Sequence, residues 1–260
     1  RLPKHTSLAE MLCSNSKAVR ALTTPPGHVE AWLTAVSQRL PAAPIGRLLL
    51  SNPLVVASSP STALAAISWA ADVLGVTDPA AFFAKATGWP ACEVATLQRN
   101  LDSLQQALGW SAKQTRQLVL KQPSLLAYSP ETVQAALAWL RQRFPDAAQL
   151  AGVVDRGPQL LSCSVQHLQG NADYLRQALG WEDGDGQLAA FLATYPQPFA
   201  IVNLNHTETQ HKLRLLNEVV GVSRQECLTS GISYLKGGLD AIAARYMLAL
   251  VRLDGLCMTG

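Results

Sequence analysis

Apolar residues recur along this chain at the alternating spacing of three and four residues that marks one face of an α-helix. One clear copy of this stripe consists of Val94, Leu97, Leu101, Leu104 and Leu108. The last residues of the seven stripes are Leu40, Leu74, Leu108, Phe144, Leu179, Val220 and Leu253. Successive stripe ends lie 34, 34, 36, 35, 41 and 33 residues apart, so a repeat runs the length of the chain.

Glycine and proline punctuate each repeat at fixed places. A glycine follows the stripe in four copies, where its freedom to adopt a positive φ predicts a helix stop. Pro53, Pro123 and Pro158 each lie 21 residues before a stripe end, and each predicts the end of a shorter preceding helix. A short apolar turn separates that helix from the striped one. The repeat is therefore predicted to be helix, tight turn, helix.

Such a unit exposes an apolar face when it stands alone, so neighbouring repeats must stack. We predict an all-α fold: an α-solenoid, or superhelix, of about seven helix-turn-helix repeats of ~35 residues each, forming a single domain over residues 1–260. One repeat column carries Trp69, Trp139, Tyr174 and Leu215. We interpret this column as core between repeats, and base stacking is the less favoured interpretation.

The motif details resemble a known family. Leu108-Gly109-Trp110-Ser111, the helix before Pro123 and the Leu125-Leu126 turn are similar to the repeat of the mitochondrial transcription termination factor (mTERF) family. Pro158-Gln159-Leu160-Leu161-Ser162 resembles the same motif. The resemblance implies an all-helical superhelix in an organelle that binds double-stranded DNA in a basic concave groove and regulates transcription, above all its termination. Some members of that family act instead on organellar RNA or in ribosome assembly, which is the alternative function.

Composition bounds the function only loosely. The 260 residues are 48% hydrophobic and 15% charged, and no uninterrupted apolar run reaches the ~20 residues that a spanning helix needs. The sequence thus predicts a soluble protein that does not enter a membrane. The net charge of +3 is well below that of a typical nucleic-acid binder. The sum hides an uneven distribution, because residues 1–130 carry 11 Lys and Arg against 6 acids, whereas residues 131–260 carry 10 against 12.

The register of the basic residues is more informative than their sum. Arg141 and Arg176 occupy the same repeat column, and same-column residues line up along one surface of a stacked solenoid. Such a row would follow a phosphate backbone, although a solvated helix edge is the competing interpretation. The candidate nucleic-acid-binding residues are Lys113, Arg116, Lys121, Arg141, Arg143, Arg156, Arg176, Lys212, Arg214 and Arg245.

No arrangement of residues indicates an enzyme. The five cysteines are far apart, which predicts free thiols, and His206 and His211 have no metal-ligand spacing. The carboxylates within 182–186 lack the pattern of a calcium loop. We expect no catalytic residue, no metal site and no cofactor. The expected partner is organellar double-stranded DNA bound by a monomer, with RNA as the second candidate. The expected location is the mitochondrion, with the chloroplast as alternative, and the targeting peptide is expected to be absent from this chain, which begins at Arg1.

Overall fold

A computed structural model describes residues 24–39, 56–79, 82, 86, 89, 92–181, 185–218, 221–229 and 235. These residues contain helices and no β-strand, which confirms the all-α prediction. Helices α1 to α11 span Pro26–Arg39, Pro60–Leu74, Val94–Leu108, Ala112–Lys121, Pro130–Arg141, Ala147–Arg156, Val165–Leu179, Asp185–Thr194, Pro196–Ile201, Thr207–Glu218 and Arg224–Thr229.

From α3 to α8, long and short helices alternate as the punctuation predicts. The short helices α4, α6 and α8 each end two residues before a proline, namely Pro123, Pro158 and Pro196. The first two prolines open the 3₁₀ turns Pro123–Ala127 and Pro158–Ser162, whereas Pro196 opens the short helix α9. This difference falls in the 41-residue period, whose extra residues lengthen the turn. Helix, tight turn, helix is thus the local pattern in this part of the chain.

Helix ends follow ordinary capping chemistry. Gly75, Gly109 and Gly180 close α2, α3 and α7 in the left-handed conformation, with φ of 71°, 68° and 66°. At the start of α4, the Ser111 hydroxyl accepts a hydrogen bond from the Gln114 backbone N–H, while the Gln114 side chain accepts one from the Ser111 N–H. This reciprocal cap fixes where the short helix begins.

The predicted stripes form the core where the structure describes them. Leu97, Leu101 and Leu104 of α3 are buried, and so are Leu168 and Leu175 of α7. The stripe ends Leu40, Val220 and Leu253 lie outside the described residues. No helix in the described ranges is both long enough and apolar enough to cross a membrane.

The chain divides into two compact units, Arg1–Gln134 and Ala135–Gly260. The first contains α1 to α4, the second contains α6 to α11, and the boundary falls within α5. A single seven-repeat solenoid over residues 1–260 therefore stays a prediction.

Candidate nucleic-acid interface

The ten predicted basic residues differ in what their side chains do. Arg245 lies outside the described residues. Five of the other nine are exposed on helices or helix ends: Lys113, Arg116, Lys121, Arg141 and Arg214. The remaining four make specific contacts within the protein: Arg143, Arg156, Arg176 and Lys212.

Helix α4 carries the most concentrated positive charge among the described helices. Its ten residues, AKQTRQLVLK, include three cations and no acid, which equals the net charge of the whole chain. The helix buries Thr115, Leu118 and Val119 and exposes its cations on the opposite side. Lys113 and Arg116 are three residues apart, so they are neighbours on the helix surface. The outward face of α4 is therefore a cationic strip within the first unit.

Arg141 and Arg176 stand at helix C-termini in the second unit. Arg141 is the exposed last residue of α5, and Arg176 lies in the last turn of α7. Cations at this end of a helix are stabilised by the helix dipole. The Arg176 side chain is 26% exposed, and its Nη1 lies 3.1 Å from Oδ1 of Asp173. Arg176 therefore reaches the surface as half of an ion pair.

Arg143 is held against an aromatic ring. Its guanidinium carbon lies 3.7 Å from the centre of the Trp139 ring, and Nη1 donates to the Trp139 carbonyl at 2.9 Å. Nη2 donates to Gln169 Oε1 of the next striped helix at 3.3 Å. Because the side chain is half-buried and shared between α5 and α7, Arg143 joins two repeats and has little freedom to follow a ligand.

Arg156 also bridges two helices, although it remains exposed. Its Nη2 donates to the Ala193 carbonyl in the last turn of α8 at 3.0 Å. Arg156 lies along an open groove of about 440 Å³ between α6 and α8. A guanidinium has five N–H donors and this hydrogen bond uses one of them, so Arg156 retains donors that a ligand could accept from.

Lys212 corrects the sequence prediction. It is only 5% exposed, and its Nζ lies 2.7 Å from Oε1 of Glu208 one turn earlier on α10. The same Nζ donates to the Leu235 carbonyl at 3.4 Å. The hydrogen bond and the charge of Lys212 lower the pKa of Glu208. The ammonium is therefore inside the protein, and Lys212 does not belong to the exposed cationic surface.

A polar column inside the repeats was not among the sequence predictions. Asn100, Asn171 and Lys212 each lie eight residues before a stripe end. Asn100 Nδ2 donates to the carbonyls of Leu126 and Tyr128 at 2.8 and 3.1 Å. Buried polar groups need such partners, so these three side chains bond α3, α7 and α10 to backbone groups that follow them in the chain. The sequence does contain a sign of this column, because a polar residue recurs at the same repeat position in all three helices.

The Asn171 contacts are more extensive than those of Asn100. Its Nδ2 donates to the carbonyls of Phe199 and Val202 at 2.9 and 2.6 Å. Its Oδ1 accepts the backbone N–H of Leu204 at 2.9 Å. The longer turn of this repeat supplies that extra N–H group. One fully buried side chain therefore satisfies three backbone groups of the following turn.

The aromatic column is part of the core, as the favoured interpretation states. Trp69 and Trp139 are 7% and 5% exposed. Trp69 Nε1 donates to Gln98 Oε1 at 3.0 Å, and Trp139 Nε1 donates to Gln169 Oε1 at 2.9 Å. Tyr174 follows the same pattern by donating from Oη to a glutamine of α10. The two buried indole rings are therefore committed to contacts between repeats and are not open to a nucleobase.

Cys92, Cys163 and Cys227 are free thiols, as predicted, while Cys13 and Cys257 lie outside the described residues. Burial raises the pKa of Cys163 to about 11. Its Sγ lies 3.3 Å from the Ala200 carbonyl oxygen and 3.4 Å from that of Gln159, so the thiol has two backbone acceptors within reach. Among the described residues, no three His, Cys, Asp or Glu side chains come together as ligands for a metal ion.

Comparison with known proteins adds no relative from which residue roles could be transferred. No family model matches this sequence, and no curated protein matches it. The resemblance to mTERF repeats therefore rests on the motif residues alone.

Proposed function

We propose that this chain is an organellar DNA-binding protein that binds double-stranded DNA and regulates transcription. The observation that carries the proposal is the outward face of α4, where Lys113, Arg116 and Lys121 are exposed without an acidic residue on the same helix. Termination of transcription is the outcome that the resemblance to mTERF repeats implies, and the mitochondrion is the implied location, with the chloroplast as alternative.

The dimensions of this face suit a duplex. Lys113 and Lys121 are eight residues apart, and a helix rises ~1.5 Å per residue, so the strip extends about 12 Å. The major groove of DNA is ~12 Å wide, so cations at the two ends of the strip can reach phosphates on both sides of it. Arg116 between them is free of the constraint that holds Arg143, and a guanidinium can bind phosphate or a guanine edge.

The second unit adds cations of the same kind. Arg141 and Arg214 are exposed, and Arg156 and Arg176 contribute partly engaged guanidinium groups. With a net charge of only +3, the whole chain gains little long-range attraction to a polyanion. Affinity is therefore expected to be modest and to depend on local phosphate contacts, which salt weakens.

The test is the salt dependence of binding measured by fluorescence anisotropy on a short duplex, a single strand and a structured RNA. The variant combines Lys113→Gln, Arg116→Gln and Lys121→Gln. Each lost phosphate contact lowers the slope of log K against log salt by ~0.9, so the slope is expected to fall by up to ~2.7 between about 50 and 200 mM salt.

Lys212→Met is the matched control, because it removes a formal charge that is buried. It should leave the slope unchanged. If the triple variant keeps the slope of the unaltered protein, α4 is not the interface. Binding to structured RNA that is as tight as binding to the duplex would overturn the duplex proposal and favour the role in ribosomal RNA maturation or ribosome assembly.

Regulation of transcription is tested separately. Duplexes selected from fragmented organellar DNA are inserted into a template, and run-off transcription is measured with and without the protein. Shortened transcripts that end at the inserted duplex are expected for a termination factor. Full-length transcripts at saturating protein would contradict termination and leave only DNA binding.

A further inference from the structure

A series of side-chain hydrogen bonds in the second unit ends at Arg176, one of the candidate phosphate-binding residues. Trp139 Nε1 donates to Gln169 Oε1, and Gln169 Nε2 donates to Asp173 Oδ1 at 2.8 Å. The same Asp173 oxygen accepts Nη1 of Arg176 at 3.1 Å. Arg143 Nη2 joins this series at Gln169 Oε1. Gln169 is therefore fixed from both sides and holds the Asp173 carboxylate in place.

The first unit contains the same series of hydrogen bonds, from tryptophan to glutamine to aspartate, but without the arginine at its end. Trp69 Nε1 donates to Gln98 Oε1, and Gln98 Nε2 donates to Asp102 Oδ1 at 2.9 Å. Asp102 and Asp173 occupy the same repeat column, six residues before the stripe end. Three residues later the first unit has Gln105, whereas the second has Arg176. In both units the carboxylate is thus bonded to the glutamine that joins two repeats. Only in the second unit is it also paired with a candidate phosphate-binding cation.

The Asp173 carboxylate changes what an approaching phosphate meets. Its side chain is 59% exposed, so the anion as well as the cation of the pair faces solvent. A phosphate that approaches Arg176 is attracted by the guanidinium and repelled by the carboxylate. At distances larger than the separation of the two charges, the attraction and the repulsion largely cancel. An ion pair exposed to solvent is only weakly stabilising, so a well-positioned phosphate can displace the carboxylate.

We propose that Asp173 is an internal competitor for phosphate at Arg176, positioned by Gln169. Arg176 then contributes to binding only where a ligand phosphate replaces the carboxylate. The inference rests on the proposed function, because it assigns a specificity role to one of the cations that are proposed to bind phosphate. Sequence-independent binding depends almost entirely on phosphate contacts, so it is the binding mode that this competition weakens most.

The test is a double-mutant cycle on a duplex of random sequence, with anisotropy measured over a range of salt. Asp173→Asn keeps the shape and the oxygen that Gln169 and Arg176 contact, and it removes the charge. It is expected to tighten binding several-fold and to steepen the salt slope by ~0.9, the value for one phosphate contact. Arg176→Gln is expected to weaken binding much more in the Asp173→Asn background than in the unaltered protein.

Asp102→Asn is the matched control, since it also removes one negative charge from the same repeat column. It should leave the salt slope unchanged and alter affinity less than Asp173→Asn does. Equal effects of the two variants, or an Arg176→Gln effect that is the same in both backgrounds, would overturn the role of Asp173. If the unaltered protein shows no salt-dependent duplex binding, the proposed function itself fails and the inference fails with it.

Discussion

Replacing Asn171 by leucine tests whether side-chain bonds to the following turn stabilise the second unit. Asn171 is fully buried and bonds three backbone groups, the carbonyls of Phe199 and Val202 and the N–H of Leu204. Leucine has a similar volume but no polar atom. The substitution therefore removes all three hydrogen bonds while leaving the backbone groups in place.

The expected cost follows from the burial of those groups. Phe199 and Leu204 are 0% exposed and Val202 is 4% exposed, so water does not readily replace the lost partner. A buried polar group without a partner costs ~1–3 kcal/mol, which predicts a loss of at least about 3 kcal/mol for Asn171→Leu. Asn100→Leu should cost about 1–2 kcal/mol less, because it leaves two carbonyls and one belongs to the exposed Tyr128.

Urea unfolding followed by far-UV circular dichroism measures the loss of stability. Hydrogen exchange adds a local measurement, since the Leu204 amide should be protected in the unaltered protein and exchange rapidly in Asn171→Leu. The reasoning is refuted if Asn171→Leu lowers the free energy of unfolding by less than about 1 kcal/mol. It is equally refuted if Leu204 exchange does not change, or if Asn100→Leu is the more damaging substitution.

Three further outcomes are expected. Gly157→Ala should lower the free energy of unfolding by ~1–3 kcal/mol, because the added Cβ would lie 2.5 Å from Cβ of Pro196. Gly186→Ala is the control on α8, where the added Cβ meets open space and the change should be neutral or stabilising. A Gly157→Ala protein as stable as the parent would contradict the packing. Cys163, with a pKa raised to about 11, should be alkylated by iodoacetamide far more slowly at neutral pH than a free thiol, with a rate that rises as pH rises toward that value; mass spectrometry showing rapid modification at neutral pH would contradict its burial. Arg143→Met should cost ~1–2 kcal/mol through the lost ring and hydrogen-bond contacts while leaving the salt slope of DNA binding unchanged, and a reduced slope would return Arg143 to the interface.

Local backbone chemistry could be predicted from the sequence. Pro123 and Pro158 end short helices because proline lacks a donor and clashes with the preceding turn, whatever the neighbours are. Gly109 ends α3 in a left-handed conformation for a similarly local reason. The periodic stripes were equally informative, since burial of one helix face follows from spacing.

Side-chain roles at the site depended on contacts that spacing does not reveal. Lys212 and Arg214 are two residues apart on α10, yet one is buried and the other exposed. The depth of Lys212 is set by Glu208 and by the Leu235 carbonyl beyond the helix. Capture of Arg143 by the ring four residues earlier could have been anticipated from helical geometry. The pairing of Asp173 with Arg176, three residues apart on α7, could have been anticipated in the same way, whereas the bond from Trp139 to Gln169 of the next striped helix required the fold.

The bonds between repeats have a consequence for how the chain forms during synthesis. The contacts Trp69–Gln98, Trp139–Gln169 and Asn171–Phe199 join residues 29, 30 and 28 positions apart. The contacts between two neighbouring repeats can therefore form once roughly one further repeat has left the ribosome, before the rest of the chain is synthesised. Contacts of such short sequence separation favour rapid folding, and folding from the N-terminus keeps exposed apolar surface small at every stage. Translation itself can thus set the order in which the repeats assemble.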